Sequence, residues 1–524
     1  MKKIISKLKK ERELDLKTYF KIVGRVVKTN WQIDKWNLIG RLFFSTIEVA
    51  STVLATYYGS LVVGEVVKSV SAGGATSNLY SYAIISALFL LVVNIAAGLQ
   101  NLLDRIVFIK WDQWFTISFN EAKANLDTDF FEDRDNQKLL NKVNRKGGWA
   151  LGDIGDQFVY TYYNLLKMAL IVGAIFSAGP WMALVIALAS IPRMYTELKR
   201  SKLEWGIWAV KGDAFHRHQK TVGLFYNEKN LIEIKLYGLK NRLLHGVAAK
   251  NIEEFGKAQA KASKSTLGIE SFSHLVYEGT FLGLTVYLIS KTVSGIISIA
   301  NFTFYTGILN QFSSSMRNLS SIISRSGELV LYARDFYAIY DSKPQIETKS
   351  DSVKLNKDKI PLIEFKNVSF AYRSNLKEKI LDNLNLTINP GEHIALVGEN
   401  GAGKTTIIKL LLRLYDVTEG EILVNGVNIK DVDLDSYWRQ IGVLFQDFNR
   451  YPFDIQTNIE LGRVNKKPTK QELDRAVELA DLKPILKKLP KGTNTILDNS
   501  FEEGVEPSGG QWQRVALARA FYRN

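Results

Sequence analysis

The 524-residue chain contains no cysteine, which removes several kinds of chemistry at once. Disulfide bonds, thiolate metal ligands and cysteine nucleophiles are all excluded, and so is removal of a leader peptide by a cysteine peptidase within this chain. The N-terminus is basic and amphipathic but lacks an uninterrupted apolar core. It therefore does not have the pattern of a cleavable signal peptide.

Acidic residues are scarce relative to basic ones. The chain has 53 Asp and Glu against 68 Lys and Arg, a net charge of +15. Three partners explain such an excess: nucleic acid, anionic lipid, or a membrane crossed with its basic loops inside. The basic segments lack interleaved aromatic residues in a compact unit that could stack bases. We therefore predict no nucleic-acid partner.

Long apolar runs occupy the first two thirds of the chain. A helix needs about 20 apolar residues to cross roughly 30 Å of hydrocarbon. Six segments come close enough to this length to predict six spans of an all-α membrane domain in a lipid bilayer. They are residues 38–67, 79–111, 160–178, 181–191, 272–289 and 296–312.

The connections between these segments set their orientation. The turns near 69–78, 179–180 and 291–295 are short and hold only Lys291 as a basic residue, whereas the longer connections are rich in Lys and Arg. The positive-inside rule places the long connections in the cytoplasm. Their helical pattern predicts that the spans extend well beyond the bilayer, where they either solubilise the bundle or touch the domain that follows.

Several spans carry polar residues, which is typical of helices around a polar cavity. Glu48 in the first span is the acidic side chain to test as cavity-facing. The alternative is that it lies near the inner interface or pairs with another helix.

The pattern changes after residue 340. Residues 341–361 are polar and unpatterned, as in a linker, and alternating segments at 362–370 and 380–388 predict strands. A short buried strand is predicted at His393–Val397, followed by GENGAGKTT and an apolar helix over Ile407–Tyr415. We predict a membrane domain over 1–340, a linker, and an α/β domain over 362–524.

GENGAGKTT has the spacing of a phosphate-binding loop in its usual strand–loop–helix context. Its glycines let successive N–H groups point at phosphate oxygens, its lysine adds a cation, and its threonine offers a hydroxyl to Mg²⁺. The motif predicts binding of ATP and Mg²⁺. The predicted nucleotide-binding residues here are Gly398, Glu399, Asn400, Gly401, Ala402, Gly403, Lys404, Thr405 and Thr406.

A second motif, PSGGQWQ, begins at Pro507. Ser508 is predicted as the N-cap of a helix that starts at two glycines, and a helix N-terminus with bare N–H groups is an anion site. Two phosphate sites more than a hundred residues apart suggest that ATP is shared head to tail between two copies.

Together, GENGAGKTT, VLFQDF and SGGQ resemble the nucleotide-binding domain of ABC transporters, and six preceding spans with two long inner loops resemble an exporter-type half-transporter. The resemblance implies a membrane all-α domain followed by an α/β P-loop NTPase domain. It assigns Tyr372 to adenine stacking and Gln446 to Mg²⁺ and the attacking water. The signature residues that hold the partner's γ-phosphate would be Ser508, Gly509, Gly510 and Gln511.

The resemblance extends to the regions that join the domains. Residues 127–137 and 221–230 are similar to the two coupling helices of exporters, and Glu502 and Gly504 to the loop that contacts them. Pro507 replaces the usual leucine and Phe501 the usual glycine. The next family strand, with the Mg²⁺-binding aspartate and general-base glutamate, is not in the sequence, and no histidine follows the signature. We therefore expect a C-terminally truncated sequence of a working enzyme, or else a naturally incomplete subunit.

The function predicted from the resemblance is ATP-driven export across a bacterial cytoplasmic membrane by a homodimer or heterodimer. Lys404, Gln446 and Ser508 are the predicted catalytic residues, and Thr405 and Gln446 the Mg²⁺ ligands. The spelling SGGQWQ is similar to that of lantibiotic and other peptide exporters, so a peptide, a hydrophobic drug or a lipid is the expected substrate. The alternatives are an ATP-binding partner subunit without turnover, an importer, or a signalling ATPase.

Overall fold

The computed structural model describes residues 15–176, 179–349, 351–355, 360–373, 378–465 and 467–523. They form two compact units. The helical unit contains the described residues up to 124 together with 138–342. The nucleotide unit contains residues 125–137 together with the described residues from 343 onward. A short segment of the N-terminal half therefore belongs to the unit built by the C-terminal third.

Helices account for almost all of the chain up to residue 340. A 3₁₀ turn at Leu224–Tyr226 and a π-helical stretch at Arg242–Ala249 interrupt the α-helices. The α-helices are α1 (Leu16–Ala72), α2 (Leu79–Ala124), α3 (Thr128–Glu132), α4 (Arg134–Lys146), α5 (Trp149–Ile175), α6 (Trp181–Ala189), α7 (Ile191–Gly223), α8 (Glu228–Leu236), α9 (Lys250–Val293) and α10 (Ile299–Tyr340).

The predicted apolar segments lie wholly or mostly in these helices, apart from residues 177 and 178, which are outside the described residues. Among the described helices, three are long and apolar enough to cross a membrane: Lys17–Ala72, Leu79–Ala124 and Trp149–Ile175. The first belongs to a 57-residue helix, about 85 Å long at 1.5 Å per residue. Since hydrocarbon is only about 30 Å thick, this helix is much longer than one crossing requires.

Local chemistry explains where these helices bend and stop. Asp34 has extended backbone angles (φ −160°, ψ 92°) inside α1 and so kinks it. Pro192 follows the break between α6 and α7, because its ring cannot continue a preceding helix. Gly73 ends α1 in the left-handed conformation (φ 70°), and Ser298 caps α10 by accepting a hydrogen bond from Asn301 N–H at 3.1 Å.

Buried ionic and polar contacts join the helices of this unit. The side chain of Arg41 is fully buried and lies 2.6 Å from carboxylate oxygens of both Asp104 on α2 and Asp156 on α5. Glu48 is half-buried and accepts a hydrogen bond from Tyr163 O–H at 3.0 Å. Glu48 therefore pairs with another helix, as one of the two interpretations of this residue expected.

The nucleotide unit contains an antiparallel sheet in the order β2-β1-β3-β4. The strands are β1 (Ile363–Phe370), β2 (Leu381–Ile388), β3 (Glu419–Val424) and β4 (Val427–Asn428). The strands predicted at 362–370 and 380–388 are thus present as β1 and β2. Phe365 of β1 pairs with Leu386 on one side and Ile422 on the other, and it is buried.

Among the described residues, seven α-helices complete this unit. A 3₁₀ turn follows β4 at Ile429–Asp431, and another lies at Gly492–Asn494. The α-helices are α11 (Lys404–Leu411), α12 (Leu434–Trp438), α13 (Ile455–Glu460), α14 (Lys470–Leu479), α15 (Lys483–Leu486) and α16 (Gly509–Tyr522), and α3 is part of this unit as well.

Two local predictions were wrong. Residues 393–397 are exposed and form no strand, because no described segment pairs with them; Val397 is 93% exposed. A strand requires a neighbour for its N–H and C=O groups, and the sequence of one segment cannot supply it. The helix predicted at 407–415 runs instead over α11, and Arg413 adopts a positive φ of 50° just after its end.

Candidate nucleotide site

The loop between the segment at 393–397 and α11 has the backbone that its sequence predicts. Gly401 (φ 89°) and Gly403 (φ 86°) both occupy the left-handed region, which costs glycine no side-chain clash. A Cβ on Gly403 would lie 2.9 Å from Leu381 Cδ2 and 3.3 Å from Ile380 O. The loop backbone therefore lies close to Ile380 and Leu381, and its left-handed glycines give a curved backbone whose N–H groups can surround a phosphate.

Lys404 occupies the first position of α11, and its ammonium group lies over the loop. Nζ donates hydrogen bonds to Gly398 O at 2.7 Å and Glu399 O at 2.6 Å. Thr405, the next residue, is exposed, so its hydroxyl is accessible. The cation, the helix N-terminus and this hydroxyl thus converge on one loop, which fits a nucleotide phosphate with its Mg²⁺.

Tyr372 lies beside this loop. Its hydroxyl is 3.1 Å from Thr406 Oγ1, and its ring makes edge contacts with Phe370 and Tyr415 at centroid distances of 4.9 and 5.4 Å. Lys409 Nζ lies 5.4 Å from the centroid of the Tyr372 ring. The predicted adenine-stacking residue is therefore brought to the phosphate-binding loop and held in a fixed orientation.

The SGGQ motif forms the N-terminus of α16. Ser508 is the N-cap: Gln511 N–H donates to its Oγ at 3.4 Å, and Ser508 N–H donates to Gln511 Oε1 at 2.8 Å. This reciprocal pair is a capping box. Gly509 and Gly510 follow it and are exposed, so nothing covers the backbone at the start of the helix.

The two motifs rest on different hydrophobic cores. Leu410 of α11 packs in a core with Phe365, Ile422 and Tyr437, whereas Trp512 of α16 packs in another with Ile459. No hydrogen bond or ion pair between described residues joins the 398–406 loop to residues 508–511. Gln446 is exposed in a turn, and no described residue forms a hydrogen bond with its side chain. Among the described residues, the two motifs therefore belong to separate packing clusters.

An acidic helix from the N-terminal half is part of this unit. Tyr415 O–H donates to Glu132 Oε1 of α3 at 2.5 Å, and Lys409 Nζ lies 3.2 Å from the same oxygen. Burial and this carboxylate both raise the pKa of Tyr415, so its hydroxyl stays protonated and keeps donating. Arg373 forms an ion pair with Asp129 at 2.9 Å.

The N-terminus of α3 is fixed by backbone contacts as well. Gln345 N–H donates to Asp127 Oδ2 at 2.6 Å. The same helix buries Phe130, which is 3% exposed. Residues 125–137 are therefore anchored by charge, hydrogen bonds and apolar packing.

Comparison with known proteins identifies the family. Residues 381–524 match the family model described as ABC transporter. The chain is 28% identical over 420 residues to the subtilin transport ATP-binding protein SpaT of Bacillus subtilis. The alignment covers 77% of this chain and 65% of SpaT. It is 34% identical over 268 residues to multidrug resistance protein pgp-1 of Caenorhabditis elegans, covering 48% of this chain and 20% of that protein.

Residues 381–524 therefore carry the ABC transporter domain. The chain spans less than two thirds of the length of the curated relatives it matches: 65% of SpaT and 36% of the mitochondrial iron-sulfur clusters transporter ATM1 of Candida glabrata. The predicted resemblance to ABC transporters is confirmed by these matches.

The fold of the ABC transporter chain agrees with that of a solved exporter. The structure of a bacterial Atm1-family ABC exporter with ATP bound superimposes with a TM-score of 0.75 and 21% identity, covering 94% of this chain and 84% of that one. The predicted fold class, a helical membrane region followed by an ABC domain, is confirmed by this match.

Sequence reasoning missed four residues of this ABC transporter that hold α3: Gln345, Arg373, Lys409 and Tyr415. A signal was present, because DTDFFEDRD at 127–135 is strongly acidic within a basic chain. An acidic segment in such a chain favours a basic docking surface. Glu502 and Gly504, in contrast, form no hydrogen bond or ion pair with residues 125–137 in the part of the chain that the structure describes.

Gly504 nevertheless has a clear structural requirement. A Cβ at this position would lie 1.8 Å from Asp498 O, a separation that no side chain tolerates. Its neighbour Phe501 is 50% exposed. The loop is therefore shaped by its own backbone, and its role in the ABC transporter stays a prediction.

Proposed function

We propose that two chains, either two copies of this one or this one with a related partner, form an ATP-driven exporter in a bacterial cytoplasmic membrane. One observation carries the proposal: Glu132 of α3 is held by Tyr415 and Lys409, close to Tyr372 and the phosphate-binding loop. A movement of the nucleotide unit therefore moves residues 125–137, which continue directly from α2.

The nucleotide would be shared between the two chains. The 398–406 loop would hold its phosphates, Tyr372 would stack on adenine, and Ser508 with Gly509 and Gly510 of the other chain would contact the γ-phosphate. The separate cores beneath α11 and α16 support this sharing, because the two motifs pack on different parts of the unit. Closure of the two nucleotide units around ATP would be a rigid-body movement.

Magnesium would be held by the Thr405 hydroxyl and the Gln446 side-chain oxygen, both of which are exposed. Bound there, the ion would neutralise phosphate charge and assist transfer of the phosphoryl group. The residues of this chain would bind and orient: Lys404 would place its cation near the β- and γ-phosphates, and the loop would exclude other orientations.

For the cargo we propose a peptide. The SGGQWQ spelling is similar to that of peptide exporters, and SpaT, matched over 77% of this chain, is described as a subtilin transport protein. A hydrophobic drug or a lipid is the alternative. Glu48 and its donor Tyr163 are the residues to examine for contact with a cationic cargo.

The test is ATP-dependent flux into inside-out vesicles that contain the full chain, using a panel of labelled cationic peptides. We expect accumulation of at least one peptide with ATP and none with the Lys404→Ala variant. ATP binding without flux, and without turnover in detergent, would instead support an ATP-binding partner subunit. Turnover without flux of any peptide, drug or lipid would support a signalling ATPase.

A further inference from the structure

The first part of α1 presents a continuous outward stripe of basic and aromatic residues. Its members lie three, four or seven positions apart, the spacing of one helix face. Phe20 and Trp36 flank the stripe and are 67% and 72% exposed. The exposed positions that define the lysine stripe are Lys17, Lys21, Lys28, Trp31 and Lys35.

The opposite face of this helix is fixed within the helical unit. Ile22 and Val26 are buried, at 8% and 0% exposure. Arg25 makes a two-pronged ion pair with Asp341 at 2.5 and 2.6 Å. Thr29 Oγ1 lies 3.0 Å from the hydroxyl of Tyr337. Because these contacts set the rotation of the helix, the lysine stripe is held outward rather than free to turn in.

Among the residues that the structure describes, no carboxylate forms an ion pair with a lysine of the stripe. Within residues 15–36 the only acids are Asp15 and Asp34. Asp15 caps α1 by accepting from Thr18 N–H at 3.0 Å. Asp34 accepts from Lys110 Nζ at 2.5 Å and from Asn37 N–H at 2.9 Å, so its charge is already paired on the inner side. The stripe is therefore a row of positive charge that lacks a counter-charge in this segment.

The lysine stripe ends where the apolar part of α1 begins. Lys35 Nζ lies 5.5 Å from the ring centroid of Trp36, and the apolar run starts two residues later, at Leu38. The kink at Asp34 separates the two parts of the helix. Trp residues prefer the membrane–water interface, and lysines placed next to a span are attracted to anionic headgroups.

We propose that the lysine stripe is a binding surface for anionic phospholipid headgroups in the leaflet at which α1 enters the bilayer. The lysines contact phosphate oxygens, while Phe20, Trp31 and Trp36 insert among the glycerol and upper acyl groups. Charge complementarity selects this occupant. The proposal is independent of the cargo and of ATP turnover.

The absence of cysteine provides a clean experiment on the full chain. Gln32 is exposed beside Trp31, so Gln32→Cys introduces the only thiol and allows a fluorophore to be attached next to the stripe. The labelled protein is reconstituted in phosphatidylcholine nanodiscs. Two samples are compared, each with the same low concentration of a quencher lipid that bears a nitroxide near the top of one acyl chain. The quencher lipid is phosphatidylglycerol in one sample and phosphatidylcholine in the other.

We expect the phosphatidylglycerol quencher to act several-fold more strongly than the phosphatidylcholine quencher, since each juxtamembrane lysine favours anionic lipid by up to roughly fivefold. Changing Lys17, Lys21, Lys28 and Lys35 together to Gln should reduce the ratio to about one. Changing the same four to Arg should preserve it, because charge is retained.

The matched control removes the same charge elsewhere, from four exposed lysines of α9. These are Lys250, Lys257, Lys261 and Lys264, each changed to Gln. This control should keep the preference for phosphatidylglycerol. Equal quenching by both lipids in the unmodified stripe would overturn the proposal. Quenching by neither lipid would also overturn it and would point to water or a second copy of the chain at this surface.

Discussion

The helical unit and the nucleotide unit meet the same requirement in different ways. Each backbone N–H and C=O group needs a partner, and a helix finds it four residues away along its own chain. The helical unit therefore satisfies its backbone locally, even across 57 residues of α1. The nucleotide unit depends on segments that are far apart in sequence, such as β1 with β3. Its structure is consequently more sensitive to which neighbours are present.

Two segments of the nucleotide unit make this dependence visible. Residues 393–397 and 442–445 are rich in apolar residues, yet neither forms a strand with any described segment. Val397 is 93% and Phe445 47% exposed. A cavity of about 390 Å³ lies beside the second segment and is lined in part by Val443, Leu444 and Phe445. In these two segments, the backbone N–H and C=O groups have no strand partner among the described residues.

The largest expected effect is in hydrogen exchange, which tests this contrast directly. Amides of residues 394–397 and 443–445 should exchange at near the rate of an unfolded chain, because no segment that the structure describes pairs with them. Amides at the centre of β3 should be protected by roughly a thousandfold or more, since core elements open only with most of the unit. Mass-spectrometric exchange on the full chain measures both. Equal protection would mean that another segment or a second chain covers them.

The next effect concerns the buried Arg41 group of the helical unit. Arg41→Ala should destabilise this unit by about 3–5 kcal/mol, because it leaves Asp104 and Asp156 as uncompensated charges. Unfolding by SDS in mixed micelles measures the loss. Lys68→Ala, at a lysine whose side chain is 70% exposed, should change nothing measurable. A small effect of Arg41→Ala would show that local helix bonds alone sustain the unit.

Lys404→Ala should weaken ATP binding by the nucleotide unit and leave the stability of the helical unit unchanged. Loss of a charged donor to phosphate should weaken ATP binding by roughly 100-fold, since such bonds contribute about 1.5–3 kcal/mol. Equilibrium binding of a fluorescent ATP analogue measures this change. The exposed Lys470→Ala variant serves as the control and should bind normally. If the SDS unfolding of the helical unit also changed, the independence of the two units would be wrong.

Glu132→Gln should give the smallest change. It lies in residues 125–137, which follow α2 of the helical unit but belong to the nucleotide unit. The carboxylate that accepts from Tyr415 and Lys409 becomes neutral, which should weaken the anchoring of α3 by about 1–2 kcal/mol. We expect ATP turnover to persist while flux falls about tenfold. Tyr415→Phe should act similarly, and the double variant should add little because both remove one contact.

The control for this pair is Glu121→Gln on the exposed surface of α2, which should leave flux unchanged. A parallel fall of turnover and flux in Glu132→Gln would contradict a coupling role and would indicate that α3 supports the nucleotide site itself.

The sequence predicted best what depends on near neighbours. The apolar segments, the phosphate-binding loop and the Ser508 cap are local patterns, and the structure contains each of them. The start of α1 at Leu16, twenty-two residues before the predicted apolar segment at Leu38, could not be read from hydropathy, because the added turns are basic and half-exposed.

Contacts between residues that are far apart in the chain could not be predicted from the sequence. The exposure of residues 393–397 depends on adjacent strands, and the contacts of Glu132 with Lys409 and Tyr415 join positions more than 270 residues apart. The kink at Asp34 likewise has no glycine or proline to mark it. Each of these features is decided by what packs against a residue and not by its neighbours in the chain.

The two groups proposed to face phosphate have one property in common: both already take part in internal hydrogen bonds. Lys404 donates to carbonyls of its own loop, and Ser508 forms a capping box with Gln511. If a nucleotide binds as proposed, these internal bonds would be exchanged for bonds to phosphate. We expect a ligand of high negative charge to make that exchange favourable, so the resting contacts would select against neutral or weakly charged molecules of similar shape.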